Sequence, residues 1–71
     1  MILIENRDYR IVGQTAYVRM SLKKEAYTEG SEAFYAVEKL WKQGYHIQYA
    51  SDHFVLTGEH DSPPNGTPYL V

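Results

Sequence analysis

Residues 9–20, YRIVGQTAYVRM, alternate apolar and polar side chains on both sides of a Gly-Gln pair. Alternation with a period of two is typical of β-strands that have one buried face. Glycine at the first turn position favours a two-residue hairpin turn of type II′, because that position needs a positive φ. The stretch therefore predicts a hairpin in which Tyr9 faces Val18 and Arg10 faces Tyr17.

The predicted register divides the side chains of the hairpin between two faces of a sheet. Arg10, Tyr17 and Arg19 share the face that we expect to be exposed to solvent. Upstream, Asn6 and Asp8 are poor strand residues and predict a bend before the hairpin. The opposite face is largely apolar and should form the core, with Tyr9, Ile11, Ala16, Val18, Met20 and Leu22.

A single amphipathic helix is predicted over Ser31–Gln43. Ser31 is a favourable N-cap, and Gly44 stands where a left-handed C-cap belongs. Glu38 and Lys42 form an i,i+4 pair on the polar face. We expect the apolar residues at helical spacing to pack on the sheet, namely Ala33, Phe34, Val37, Leu40 and Trp41.

Residues 45–59, YHIQYASDHFVLTGE, repeat the alternation and predict a second hairpin with a turn at Ser51–Asp52, or with a longer loop there. The predicted fold class is therefore α+β, a small two-layer sandwich. Its sheet is four-stranded and mostly antiparallel (β-β-α-β-β), and the helix packs on one face. We expect this domain to span residues 1–60. Residues 61–71 are rich in Pro and Gly and predict a mobile tail.

Composition excludes several classes of protein. A chain of 71 residues forms one domain, and without cysteine it has no disulfide or thiolate-metal site. A net charge of −2 argues against a general binder of nucleic acids or anionic membranes. Without a run of about 20 apolar residues or a signal-like N-terminus, the sequence predicts a soluble, cytoplasmic protein.

Catalytic and metal-binding patterns are weak. His46 and His53 share the outer face of the predicted second hairpin, but the offset along the strands places them about 13 Å apart. Glu59, His60 and Asp61 are adjacent at the exit of the predicted last strand, where water levels their pKa values. We therefore expect no enzyme activity, no metal and no cofactor.

The candidate partner-binding residues lie on the predicted outer face of the sheet. They are Arg10, Tyr17, Arg19 and Val55, with His46 and Gln48 as an extension. The same face has three readings: a solvated sheet face, a protein interface, or a platform that stacks single-stranded bases. A second candidate is the segment PYLV, in which Tyr69 and Val71 could add as a strand to a partner's groove or fold back on the domain's own sheet.

The sequence thus predicts a small non-enzymatic module that binds another protein through its sheet surface, as an adaptor, regulator or inhibitor. An accessory factor of the kind that phages and plasmids encode fits this description. The partner is an unidentified protein or a second copy in a homodimer. The alternative is a single-strand nucleic-acid or transcription-associated binding protein. A small enzyme with its site across a dimer interface is the third hypothesis.

Overall fold

The computed structural model describes residues 3–58. These residues form a three-stranded mixed sheet in the order β1-β2-β3, in which β1 is antiparallel to β2 and β2 is parallel to β3. The elements follow along the chain as β1 (Tyr9–Val12), β2 (Thr15–Arg19), a 3₁₀ turn (Met20–Leu22), α1 (Lys23–Ala26), α2 (Glu32–Lys42), β3 (His46–Ala50) and α3 (Asp52–Thr57). The α+β class is confirmed, whereas the predicted fourth strand and the mostly antiparallel character of the sheet are not confirmed within residues 3–58.

The first hairpin has the predicted register. Tyr9 faces Val18 and Arg10 faces Tyr17 across β1 and β2, and Gly13 has a φ of +63° at the first turn position. The predicted bend is also present, because residues 6–8 form a turn in which Asn6 has a φ of +68°. Local alternation and turn chemistry were sufficient to identify this unit.

The central helix is confirmed within one residue at each end. The Ser31 hydroxyl accepts a hydrogen bond from the Phe34 N–H over 2.9 Å, which is the contact expected of an N-cap. At the other end Gly44 is left-handed, and the Tyr45 N–H donates to the Leu40 carbonyl over 3.3 Å. This bond closes the helix in a Schellman motif.

The predicted second hairpin is wrong, because the chain turns into α3 after β3. Ser51 is an N-cap and not a turn residue, and its hydroxyl accepts a hydrogen bond from the Phe54 N–H over 3.2 Å. Asp52 then occupies the first turn, where a carboxylate favours the positive end of the helix dipole. A Ser-Asp pair is favourable both in a tight turn and at the start of a helix. In this fold, tertiary packing stabilises the helix.

The connection from β2 to β3 explains why these strands are parallel. It contains α1 and α2, and a crossover that includes a helix returns the chain to the same end of the sheet. β2 lies in the middle of the sheet, so that β1 and β3 are its two edges.

Helices cover both faces of the sheet, and the predicted two-layer arrangement therefore becomes three layers. Val18 of β2 belongs to the cluster that faces α1 and α2, whereas the neighbouring Tyr17 packs with α3 on the other side. None of the helices within residues 3–58 has both the length and the apolar composition that a membrane crossing requires. The main cluster contains Leu3, Val18, Leu22, Ala26, Ala33 and Tyr49.

Candidate functional site

Arg10, Tyr17 and Arg19 do share one face of the sheet, but that face lies beneath α3. The Arg10 guanidinium donates from Nη2 to the carbonyl oxygen of Val55 over 3.1 Å. A Cβ atom at Gly58, which has a φ of +76°, would lie only 3.1 Å from Cζ of Arg10. Arg10 is therefore a half-buried contact of the helix end, and its predicted solvent exposure is wrong.

Arg19 joins two carboxylates at the other end of α3. Its Nη2 lies 3.2 Å from Oδ2 of Asp52, and its Nη1 lies 3.6 Å from Oδ1 of the buried Asp8. Burial alone would raise the pKa of Asp8, but hydrogen bonds from Arg7 and the Ile4 N–H and the charges of Arg7 and Arg19 outweigh it and lower that pKa. The network joins the turn before β1, the end of β2 and the start of α3.

Tyr17 and Val55 are packing residues of the second cluster. The Tyr17 ring meets the Phe54 ring edge to face, with centroids 5.2 Å apart. Val55 is fully buried, so that its predicted outward orientation is wrong. Together with the two arginines, these residues attach α3 to the sheet and leave little of the predicted binding face open.

The other candidates from the sequence are not brought together into a site. His46 is exposed on β3 and Gln48 is half-buried on the same strand, while His53 lies exposed on α3. Tyr69 and Val71, with the tail of residues 61–71, lie outside the described residues. Among residues 3–58, no three His, Asp or Glu side chains cluster closely enough to hold a metal ion.

An open apolar surface lies elsewhere, around Trp41. This residue was expected in the core, and that expectation is wrong, because 64% of its surface is exposed. Trp41 stands on one side of a groove of about 460 Å³ between the helices and β3. We call this the Trp41 groove, and within residues 3–58 its lining consists of Ala26, Tyr27, Phe34, Val37, Glu38, Trp41, Ile47 and Tyr49.

The groove opens at the free edge of β3. The His46 N–H donates to the Gln14 carbonyl over 2.8 Å. In a parallel ladder, alternate residues direct their N–H and C=O groups to the same neighbouring strand. His46 therefore points to β2, and the N–H and C=O groups of Ile47 and Tyr49 point away from β2. No strand within residues 3–58 pairs with that side. The side chains of these two residues also line the groove, which therefore combines an apolar surface with a strand edge.

Aromatic rings dominate the wall formed by α1 and β3. The rings of Tyr27 and Tyr49 meet edge to face with centroids 5.6 Å apart, and the Lys23 ammonium lies 5.9 and 5.8 Å from the two centroids. Burial, with a smaller contribution from Tyr27, raises the pKa of Tyr49 to about 12. The Tyr49 phenol therefore stays neutral at physiological pH.

The helical spacing already indicates that Trp41 lies at the side of the apolar face of α2 and not at its centre. At 100° per residue, Ala33, Val37 and Leu40 point within about 60° of one another, whereas Phe34 and Trp41 lie about 80–100° from Ala33. A three-stranded sheet does not extend beneath the side of α2 that carries Phe34 and Trp41. The residues that the sequence assigned to a fourth strand form α3 on the opposite face instead.

Comparisons of the chain with protein-family models, curated proteins and solved structures found no match.

Proposed function

We propose that this chain is a non-enzymatic protein-binding module that takes an extended segment of a partner protein along the free edge of β3. The observation that carries the proposal is the 64% exposure of Trp41 beside an edge of β3 with which no strand of residues 3–58 pairs. The cysteine-free composition suits the cytoplasm, which we keep as the proposed location.

Two kinds of contact would act together in this complex. The outward N–H and C=O groups of Ile47 and Tyr49 would form main-chain hydrogen bonds with the added strand, which supply affinity without selecting a sequence. Every second side chain of that strand would point to the α2 side of the sheet, into the Trp41 groove. The groove therefore supplies the selectivity, and tryptophan is among the residues most enriched at the energetic centres of protein interfaces.

The structure weighs against the predicted use of the sheet face. Arg10 and Arg19 are engaged with Val55 and Asp52 of α3, so that they are poorly placed to contact a phosphate backbone. The nucleic-acid alternative depends on these arginines beside an exposed Tyr17, whose ring packs against Phe54 of α3. We therefore move the proposed binding surface from the sheet face to the sheet edge.

A selection from a random peptide library on the immobilised chain tests the proposal. We expect peptides in which every second residue carries a side chain that enters the Trp41 groove, and we expect Trp41→Ala to weaken their binding at least tenfold, as loss of a central aromatic anchor does. Tyr35→Ala is the matched control, because Tyr35 is an exposed aromatic residue of α2 that does not line the groove. Failure to enrich peptides, or binders that tolerate Trp41→Ala, would contradict the proposal.

Backbone pairing can be tested separately from the groove. N-methylation removes a peptide N–H, so that methylating the amides that face β3 should abolish binding, whereas methylating the alternate amides should not. Sedimentation of the free protein tests for a second copy as the partner. Self-association that Trp41→Ala removes and Tyr35→Ala leaves intact would identify a homodimer formed through this edge.

A further inference from the structure

The Trp41 groove has a lining that is suited to a cation. Among residues 3–58, four aromatic residues contribute to it, and Glu38 is the only charged residue of that part of the chain that lines it. Aromatic faces attract ammonium groups through the ring quadrupole, and one carboxylate nearby adds a direct charge attraction. The volume of about 460 Å³ lies within the range of small-ligand sites, which is roughly 300–1,000 Å³.

The chain already places one ammonium group against these rings. The Nζ atom of Lys23 lies 5.9 Å from the Tyr27 centroid and 5.8 Å from the Tyr49 centroid. Both distances fall within the limit of about 6 Å for a cation–π contact. Lys23 does not itself line the groove. Its position shows that the two rings favour positive charge, and that a second cation in the groove would be repelled by it.

We propose that the Trp41 groove binds an alkylammonium group, a lysine side chain of the partner or its methylated form, between the aromatic rings and the Glu38 carboxylate. This inference rests on the proposed function and names the chemistry of the side chain that the groove selects. The net charge of −2 favours a partner segment with a positive charge. Glu38 increases the affinity, whereas Lys23 and Lys42 limit it, since Nζ of Lys42 lies 4.0 Å from Oε1 of Glu38.

Choline and its neutral isostere 3,3-dimethylbutan-1-ol are the probes, because they have the same shape and differ in charge. Trp41 is the only tryptophan of the chain, and its fluorescence reports occupancy directly. We expect choline to give a saturable change and to bind about tenfold more tightly than the alcohol. Equal affinities, or no saturable change with choline, would overturn the proposal.

Two charge variants give opposite expectations. Glu38→Gln should weaken choline binding about threefold or more, because it removes the negative charge from the lining. Lys23→Met should strengthen it about twofold or more, because the side chain keeps its bulk and loses its charge. Glu29→Gln and Lys24→Met are the matched controls, since both residues are exposed and neither lines the groove. Variants that leave the affinity unchanged, or shift it in the opposite sense, would overturn the proposal.

The result is distinguishable from the outcome of the peptide selection. Selected peptides could bind through Trp41 with the same affinity whether they carry lysine, trimethyllysine or norleucine. That result would contradict the cation site and would still support the protein-binding function. Selective choline binding without any selected peptide would support the cation site and remove the strand-edge function.

Discussion

Arg19, at the end of β2, donates a hydrogen bond from Nη2 to Oδ2 of Asp52 in the first turn of α3, over 3.2 Å. The second carboxylate oxygen of Asp52 accepts the Ser21 N–H over 3.2 Å. Arg10 holds the other end of α3 through the Val55 carbonyl. A helix of six residues has little stability by itself, so that these contacts and the burial of Val55 hold it on the sheet.

Replacing Arg19 should therefore destabilise the fold. We expect Arg19→Met to lower the free energy of unfolding by about 1–3 kcal/mol, because it leaves Asp52 and the buried Asp8 with fewer partners. Lys24→Met, an exchange of the same kind at an exposed position of α1, should change it by less than about 0.5 kcal/mol. Urea titrations of the two variants and the wild type measure both values. Equal small effects would contradict the role of Arg19.

Val55 and Leu56 separate the observed helix from the predicted strand. In α3, Val55 is fully buried and Leu56 is 46% exposed. We expect Val55→Ala to cost about 2 kcal/mol or more and Leu56→Ala less than about 1 kcal/mol. A β-hairpin centred on Ser51–Asp52 would reverse this order, because Leu56 would then face the core and Val55 the solvent. Thermal melts of the two variants distinguish these cases.

Leu40 and Trp41 are neighbours on α2 with different roles. Leu40→Ala should cost about 2–5 kcal/mol, because Leu40 is buried under the helix. Trp41→Ala should cost only about 1 kcal/mol, because most of its surface remains in water. Chemical denaturation of both variants gives the comparison. If Trp41→Ala were as destabilising as Leu40→Ala, Trp41 would have to be a core residue, which contradicts this assignment.

Acid should destabilise the fold through Asp8 and Asp52. The pKa of each is lowered from 3.8 in the folded state, because hydrogen bonds and the charge of Arg19 outweigh the effect of burial. A carboxylate with a lowered folded pKa contributes stability above its unfolded pKa and loses it as pH falls through the folded value. The urea midpoint should therefore fall below about pH 3.8.

Asp52→Asn provides the control for this acid transition. The variant should be less stable than the wild type at neutral pH, and its urea midpoint should fall less steeply in acid, because one of the two titrating carboxylates is absent. If the urea midpoints of wild type and variant fell in parallel over the same pH range, Asp52 would not contribute to the acid transition.

The first hairpin and α2 could be predicted from the sequence because each is specified by neighbours along the chain. Gly13 supplies the turn, and the alternation on both sides sets the register. Ser31 and Gly44 mark the ends of α2. These signals lie within a few residues of the elements that they define, so that tertiary context does not change their meaning.

The second half of the fold depended on contacts between distant residues. Ser51–Asp52 can begin a helix or form a turn, and the helix is stabilised by Arg19, which lies 33 positions from Asp52 along the chain. The same contact holds α3 against the face of the sheet that the sequence predicts to be exposed. Once the fourth strand is replaced by α3, nothing within residues 3–58 covers the flank of α2 that carries Trp41. The groove was therefore beyond what local patterns predict.

The fluorescence of Trp41 tests the account most directly. In the free protein, we expect acrylamide to quench Trp41 nearly as well as in the urea-unfolded chain, because its surface is 64% exposed. A saturating selected peptide should reduce that quenching and shift the emission to shorter wavelength, whereas a scrambled peptide should do neither. A Trp41 that is already shielded in the free protein, or equally quenched with the selected peptide bound, would contradict its role as the open centre of a binding groove.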